Sequence, residues 1–349
     1  LGQRLNINGC AQLAERATAL GVGDVAVVRE EGQWRLRVGR PDDAPVPLLR
    51  LLASLPDVPP LTAAAGMADS GQPVLLRFGA NRIKNVLIAG EPGAGKTTLL
   101  RSIAAGLALT NRQSALQLLV MDSRGLDDAP NGAPHPLRPL GYLPHVLTDP
   151  TGSVAACADI VHFLAEEMEY RRRERLQWPR IVALIDHVVT LVDEAGGTTQ
   201  HDLLRLLQYG AAAGIHLVMA TDQAEAPFLM DRTLRVGVSA RLVGRLGDTA
   251  AARKVAGMAL DGAPGLGGRG DFFAVVGSEA TYFQGAYISD YDLHMELSKM
   301  AAARPRLLAQ PYSPRPRLER EAQTDTKTFR WRDGVVDIDD DVDTDGKDK

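Results

Sequence analysis

Cysteine is almost absent from this chain: Cys10 and Cys157 are the only two among 349 residues. They lie far apart and without metal-ligand spacing, which excludes a disulfide framework and points to a reducing compartment, the cytoplasm. No window holds 18 uncharged apolar residues and no signal peptide opens the chain, so nothing in it reads as a membrane span. The first residue is Leu1 rather than Met. Whether the chain is a fragment therefore stays open, as does a membrane tether through segments outside it. A net positive charge is lacking too, since the formal charge is −4, and the chain as a whole carries no basic footprint for nucleic acid. That average hides an acidic final stretch, beside which the rest is close to neutral. Internal repeats are missing as well. What remains is ordinary for a globular protein, 45% apolar and 23% charged, and long enough for one large domain with an appendage or for two.

Three regions differ in character. Residues 1–60 read as a small α+β domain: CAQLAERATALG has helical spacing, DVAVVREEGQWRLRVG reads as two short strands about a turn, and VPLLRLLASL is an amphipathic helix stopped by PDVPP. Across residues 61–300, apolar strand-like runs (VLIAG, LQLLVMD, IVALID, IHLVMAT, ARLVGRL, DFFAVV) alternate with helix-like ones such as TTLLRSIAAGLAL and CADIVHFLAEEMEYRRRERL. That alternation predicts an α/β fold with a mostly parallel sheet covered on both faces. Residues 301–349 are a Pro/Arg-rich linker and an acidic run too polar to bury a core, which predicts a disordered tail.

GEPGAGKT, from Gly90 to Thr97, fits G-x-x-x-x-G-K-[ST], follows the strand VLIAG and opens a helix. This is the context a phosphate-binding loop requires. Its glycines let backbone N–H groups turn inward around phosphates, Lys96 reaches the terminal phosphates, and the Thr97 hydroxyl can ligate magnesium. The helix N-terminus adds partial positive charge. The expected nucleotide-binding residues are thus Gly90, Glu91, Pro92, Gly93, Ala94, Gly95, Lys96, Thr97 and Thr98, with ATP and Mg2+ as cofactors. Asp186 closes the apolar strand IVALID at the spacing expected for the magnesium-holding aspartate; Asp122 ends LQLLVMD in the same way and reads there as a strand end.

Beyond the phosphate loop the chain resembles the FtsK/SpoIIIE DNA-translocase family. LPHVLTDP, the helix holding EEMEYRRR, AAAGIHLVMATDQ, GRGDFFAV and QGAYISDYDLH each resemble family segments, in the family's order, and LTAAAGMADSGQPVLL resembles its approach to the phosphate loop. The resemblance spans about residues 5 to 297. It implies a RecA-like P-loop ATPase core that forms a homo-oligomeric, hexameric ring around double-stranded DNA, with ATP between neighbouring subunits and magnesium at Thr97 and Asp186. It also implies a polar sensor glutamine directly after Thr221, where Asp222 stands instead and Gln223 follows one residue later, and a finger arginine at Arg241, with Arg253 a second family arginine. Localisation would be cytoplasmic, with membrane association in the full-length protein.

The family's catalytic glutamate is replaced by His187. Neutral imidazole, with an ordinary pKa of about 6.5, has one accepting nitrogen where a carboxylate has several lone pairs. Losing a water-positioning group costs about 10²–10⁴-fold, so the expectation is ATP binding with slow hydrolysis, raised by His187→Glu. Asp222, at an adjacent strand end, is the substitute base; Asp193 and Glu194 lie two helical turns on and point elsewhere. The plain alternative is that His187 merely packs on the neighbouring strand. For DNA the candidates are the basic cluster Arg171 to Arg180, which reads first as a solvated helix face, and the loop-like GRLGDTAAARKVAG. Two other functions stay open: a protein-secretion ATPase of the related type VII group, and a non-catalytic nucleotide-binding ring subunit.

Overall fold

The structure, a computed structural model, describes residues 45–303 apart from 80, 129–131 and 261, together with short strand segments at 25–30, 33–38, 330–332 and 335–337. It divides into two compact units, Leu1–Tyr312 and Ser313–Lys349. In the first, β1 (Val25–Glu30) and β2 (Gln33–Val38) pair antiparallel, Val25 opposite Val38. The helix expected at 10–21 lies outside the described residues. β3 (Val46–Pro47) runs into α1 (Leu48–Ser54), whose Leu48 and Leu51 are one turn apart and both buried. β4 (Thr62–Ala68) and β5 (Pro73–Arg77) form a hairpin ahead of β6 (Val86–Ala89) and α2 (Lys96–Thr110). Then come β7 (Leu116–Asp122), α3 (Val154–Glu174), β8 (Arg180–Asp186), α4 (Val188–Ala195), α5 (Gly197–Tyr209) and β9 (Ile215–Thr221). The unit continues through α6 (Arg232–Gly237), β10 (Ala240–Val243), α7 (Thr249–Ala256), β11 (Asp271–Val276), β12 (Glu279–Tyr287) and α8 (Asp290–Ala303).

The main sheet runs β5-β4-β12-β11-β10-β6-β9-β8-β7, with β3 paired to β12. From β10 to β7 all pairings are parallel, whereas β10–β11, β11–β12, β12–β4 and β4–β5 are antiparallel. The sheet is therefore mixed, and the parallel reading holds for its half from β10 to β7. Connection length explains the difference. β11 and β12 are joined by Gly277 and Ser278, with Gly277 at φ +63°, a two-residue hairpin that a parallel pair cannot use.

Helices cover both faces because the parallel strands are largely apolar on both sides, with Gln117, His216 and Arg241 as exceptions away from the strand ends. In β6, Val86 and Ile88 face one core with α1, α2 and α8, while Leu87 and Ala89 face another with α3 to α7. β8 divides the same way, Val182 and Leu184 against Ile181, Ala183 and Ile185. The β3–α1 segment, from within the first sixty residues, thus belongs to the larger unit's core.

The basic cluster is solvated at Arg172, Arg173 and Arg175, as its sequence suggests, but not at Arg171 and Arg180. Arg171 is only 3% exposed: its Nε donates to Glu167 Oε1 at 2.7 Å and its Nη1 to the Pro179 carbonyl at 2.7 Å. Arg172 lies over the Tyr209 ring, 4.6 Å from its centre, and Arg180 is buried. Arg171→Ala leaves the Glu167 carboxylate buried without its cation, and is expected to cost about 3–5 kcal/mol in urea unfolding. GRLGDTAAARKVAG likewise holds a helix, α7, capped by Asp248 Oδ1 on the Ala251 N–H, rather than a loop. In the second unit the described part is the antiparallel pair β13 (Arg330–Arg332) and β14 (Val335–Asp337); the rest of the tail lies outside the described residues.

Candidate functional site

Four parallel strands end side by side, and each carries chemistry past its last residue. β6 leads into Gly90, β9 into Asp222, β8 ends in Asp186 before His187, and β7 ends in Asp122. The register is direct, with Ala89 opposite Thr221 and Asp122 opposite Asp186. Ligand sites form where parallel strands finish, because loops there converge on one crevice.

The phosphate loop is held from both sides. Gly90 N donates to the Thr221 carbonyl at 3.2 Å and Glu91 N to the Arg245 carbonyl at 2.8 Å. Across the loop, Arg269 N donates to Gly93 O at 3.0 Å and Gly270 N to Ala94 O at 2.9 Å. Gly95 sits at φ +96°, and a Cβ there would stand 2.8 Å from Gly270 N, so conformation and space both require glycine. Pro92 and Ala94 fill the loop between. Lys96, 6% exposed, donates from Nζ to the Glu91 carbonyl at 3.0 Å, folded back over the loop. Burial holds its pKa below the usual lysine value, against the pull of Asp186 and Asp222. Thr97 Oγ1 donates to Asp186 Oδ2 at 2.5 Å. A hydroxyl and a fully buried carboxylate, both hard oxygen donors, fit a magnesium ion. On the Thr98 side a cavity of about 470 Å³ opens between the loop, Arg269, Phe272 and Tyr287.

His187 adopts the left-handed conformation, φ +53°, at the start of α4. Its N–H donates to Asp186 Oδ1 at 2.9 Å, and its carbonyl accepts the Ser123 hydroxyl at 2.8 Å. Its Nδ1 lies 2.8 Å from Asp122 Oδ1, and His135 Nε2 is 3.3 Å from Asp122 Oδ2. Burial alone would raise the Asp122 pKa, but hydrogen bonds from the two histidines outweigh it and hold the carboxyl well below its usual range. An ionised carboxylate only accepts, so Nδ1 of His187 carries the hydrogen and Nε2 is left with a lone pair when the ring is neutral. Burial lowers the His187 pKa and Asp122, then Asp186, raise it more; the net shift is upward. Asp186 is shifted upward by burial. His187 therefore does more than pack: it is one half of an aspartate–histidine pair beside the Asp186 carboxylate, and Asp122, Asp186 and His187 place their ligand atoms within 4.8 Å of one another.

Asp222 is brought to the same crevice but is already engaged. Arg124 Nη1 and Nη2 donate to its two oxygens at 2.6 and 3.0 Å. Burial would raise its pKa and Arg124 lowers it overall, so the two lone pairs a base would offer face a guanidinium. Gln223 Nε2 reaches Thr190 Oγ1 at 3.5 Å, and Gln223 N caps back to Thr221 Oγ1 at 3.0 Å. Arg241 stands mid-strand opposite Leu87, with Nη2 donating to the Arg235 carbonyl at 2.8 Å, and is not drawn to its own phosphate loop. Arg253 is exposed on α7. Asp193 and Glu194 are exposed on α4, away from the site.

Sequence reasoning did not single out Arg124, His135, Arg269 and Gly270, and read Asp122 as a plain strand end. The matched endings LVMD and ALID were the available signal for Asp122; the histidine and the bracing loop come from distant sequence and left none.

A sequence model of the FtsK/SpoIIIE family matches residues 56–176. Among curated proteins, the DNA translocase FtsK of Oceanobacillus iheyensis is 26% identical over 258 residues, 67% of this chain and 32% of that protein. DNA translocase SftA of Bacillus subtilis is 27% identical over 268 residues, 70% of this chain and 27% of that protein. The chain thus spans about a third of the length of such relatives. Among solved structures, the cytoplasmic domain of the Thermomonospora curvata type VII secretion ATPase EccC superposes with a TM-score of 0.62 at 19% identity, over 77% of this chain and 35% of that one. The pCW3 conjugation coupling protein TcpA, solved with ATPγS, gives 0.59 at 18% identity, over 86% and 87%. At these identities the structures share the P-loop ATPase fold.

Proposed function

We propose that this chain, which belongs to the FtsK/SpoIIIE family, is the ATP-driven motor of a double-stranded DNA translocase. The observation that carries this reading is the Lys96, Thr97 and Asp186 constellation, in which the Thr97 hydroxyl already meets the Asp186 carboxylate beside a braced phosphate loop. Lys96 and the loop amides bind the β- and γ-phosphates of ATP, and Thr97 and Asp186 hold Mg2+, which when bound neutralises phosphate charge. His187, oriented through Nδ1 by Asp122, takes a proton from the attacking water at Nε2, in place of the family's glutamate. Its upward-shifted pKa lowers the fraction of neutral ring, which favours slow turnover. ATP lies between copies of the chain in a homo-hexameric ring, with Arg241 of the adjacent copy reaching the γ-phosphate. The β3–α1 segment ahead of the phosphate loop packs into the motor's core, and any membrane tether lies in segments outside the chain. No described helix is long and apolar enough to cross a membrane.

Phosphate contacts dominate non-specific DNA binding, so the test is ATP turnover with and without double-stranded DNA of arbitrary sequence. Stimulation that weakens with rising salt supports the reading. Stimulation by a peptide and not by DNA would replace it with a secretion ATPase, and nucleotide binding without turnover would leave a ring subunit that does not hydrolyse.

A further inference from the structure

We propose that Arg124 reads the γ-phosphate: its guanidinium, forked on Asp222, exchanges that carboxylate for the terminal phosphate of ATP. This rests on the nucleotide reading above and assigns a residue that the phosphate-loop motif does not contain.

Position is the first argument. Arg124 follows β7 at the far side of the parallel half, with its backbone N–H anchored on Asp122 Oδ1 at 2.9 Å. Its side chain crosses the end of β8 to reach Asp222 after β9. Asp222 in turn follows Thr221, whose carbonyl accepts the N–H of Gly90, the first glycine of the phosphate loop. The guanidinium thus hangs over the crevice, close enough that its charge and that of Asp222 both act on Lys96.

Chemistry is the second. The contact to Asp222 is a two-pronged fork, the geometry with which arginine also grips phosphate. Nε is steadied by Thr190 Oγ1 at 3.2 Å, so the fork is aimed as well as charged. The Arg124 side chain is 41% exposed against 13% for Asp222, so the arginine end of the pair is open to water and to an incoming anion. A terminal phosphate with more negative charge, arriving in a crevice edged by Asp122, Asp186 and Asp222, outcompetes a single carboxylate for it. ADP lacks that group and leaves the pair closed.

The test is equilibrium titration of the chain with ADP and with ATPγS, both with Mg2+, for the unaltered protein and for Arg124→Ala, Arg124→Lys and Asp222→Asn. Arg124→Ala is expected to weaken ATPγS about 10–100-fold, the worth of charge-assisted hydrogen bonds, while ADP affinity and melting temperature stay as they were. Arg124→Lys keeps the charge without the fork and should fall between. Asp222→Asn removes the competitor and should tighten ATPγS. Equal loss for both nucleotides, or no loss for either, overturns the proposal while leaving the nucleotide site standing. Failure of the unaltered chain to bind either nucleotide overturns the reading beneath it.

Discussion

Lys96→Ala is expected to abolish measurable ATP binding and to lower any turnover by about 10²–10³-fold, the usual cost of deleting one preorganised electrostatic donor. Its Nζ is the only side-chain cation within the phosphate-loop sequence itself, and it rests on the loop's own Glu91 carbonyl at 3.0 Å, waiting over the cradle. The fold should survive the change. Burial already disfavours the Lys96 ammonium, shown by its lowered pKa, so removing it relieves a desolvation cost. In thermal melts the variant should match the parent without nucleotide and lose the upward shift that ATP with Mg2+ gives the parent. A variant that still gains stability from ATP would place the nucleotide elsewhere.

His187→Ala is expected to spare nucleotide binding and to cut turnover about 10²–10⁴-fold, the range of general acid–base catalysis. The contrast with Lys96 is diagnostic: one change removes affinity, the other the chemical step. Asp122→Asn should lower turnover with it, because an amide no longer fixes which imidazole nitrogen carries the hydrogen. Restoring glutamate alone is not expected to help, contrary to what the bare sequence suggests. In place of the imidazole, a carboxylate would sit against Asp122, 2.8 Å from Nδ1, and near Asp186 at 3.7 Å, and like charges that close resist joint ionisation. The double change His187→Glu with Asp122→Asn removes that conflict and should recover activity. Single-turnover measurement with saturating ATP separates these outcomes, and full turnover in His187→Ala would return the histidine to a packing role.

The phosphate loop, Asp186 and every strand of the parallel half were legible because each is local: a fixed spacing of glycines and Lys-Thr, or a short apolar run ending in Asp. The antiparallel half was less so. TAAAGMA in β4 carries small residues with no strand-like alternation, since Gly66 lies where a Cβ would meet the Gln284 carbonyl at 2.0 Å. What decided that strand was a neighbour more than two hundred residues away. The histidine site shows the same limit. Position 187 was visible as a departure from the family, but its partner Asp122 lies 65 residues earlier, and His135, the other histidine on that aspartate, falls in irregular chain. Asp222 was legible as a residue at the crevice and misleading as a free base, because Arg124, which occupies it, comes 98 positions before.

The phosphate loop also bridges two differently wired half-sheets, although its own strand, β6, lies one place inside the parallel half. On one flank it is stitched to Thr221, a parallel neighbour, and on the other to Arg269 and Gly270, which lead into β11 of the antiparallel half. Load that slides one half past the other therefore stretches the very stitches that shape the cradle. By thermodynamic reciprocity, a nucleotide seated there stiffens the joint against that sliding. In a machine that pulls, the fuel would double as the bolt.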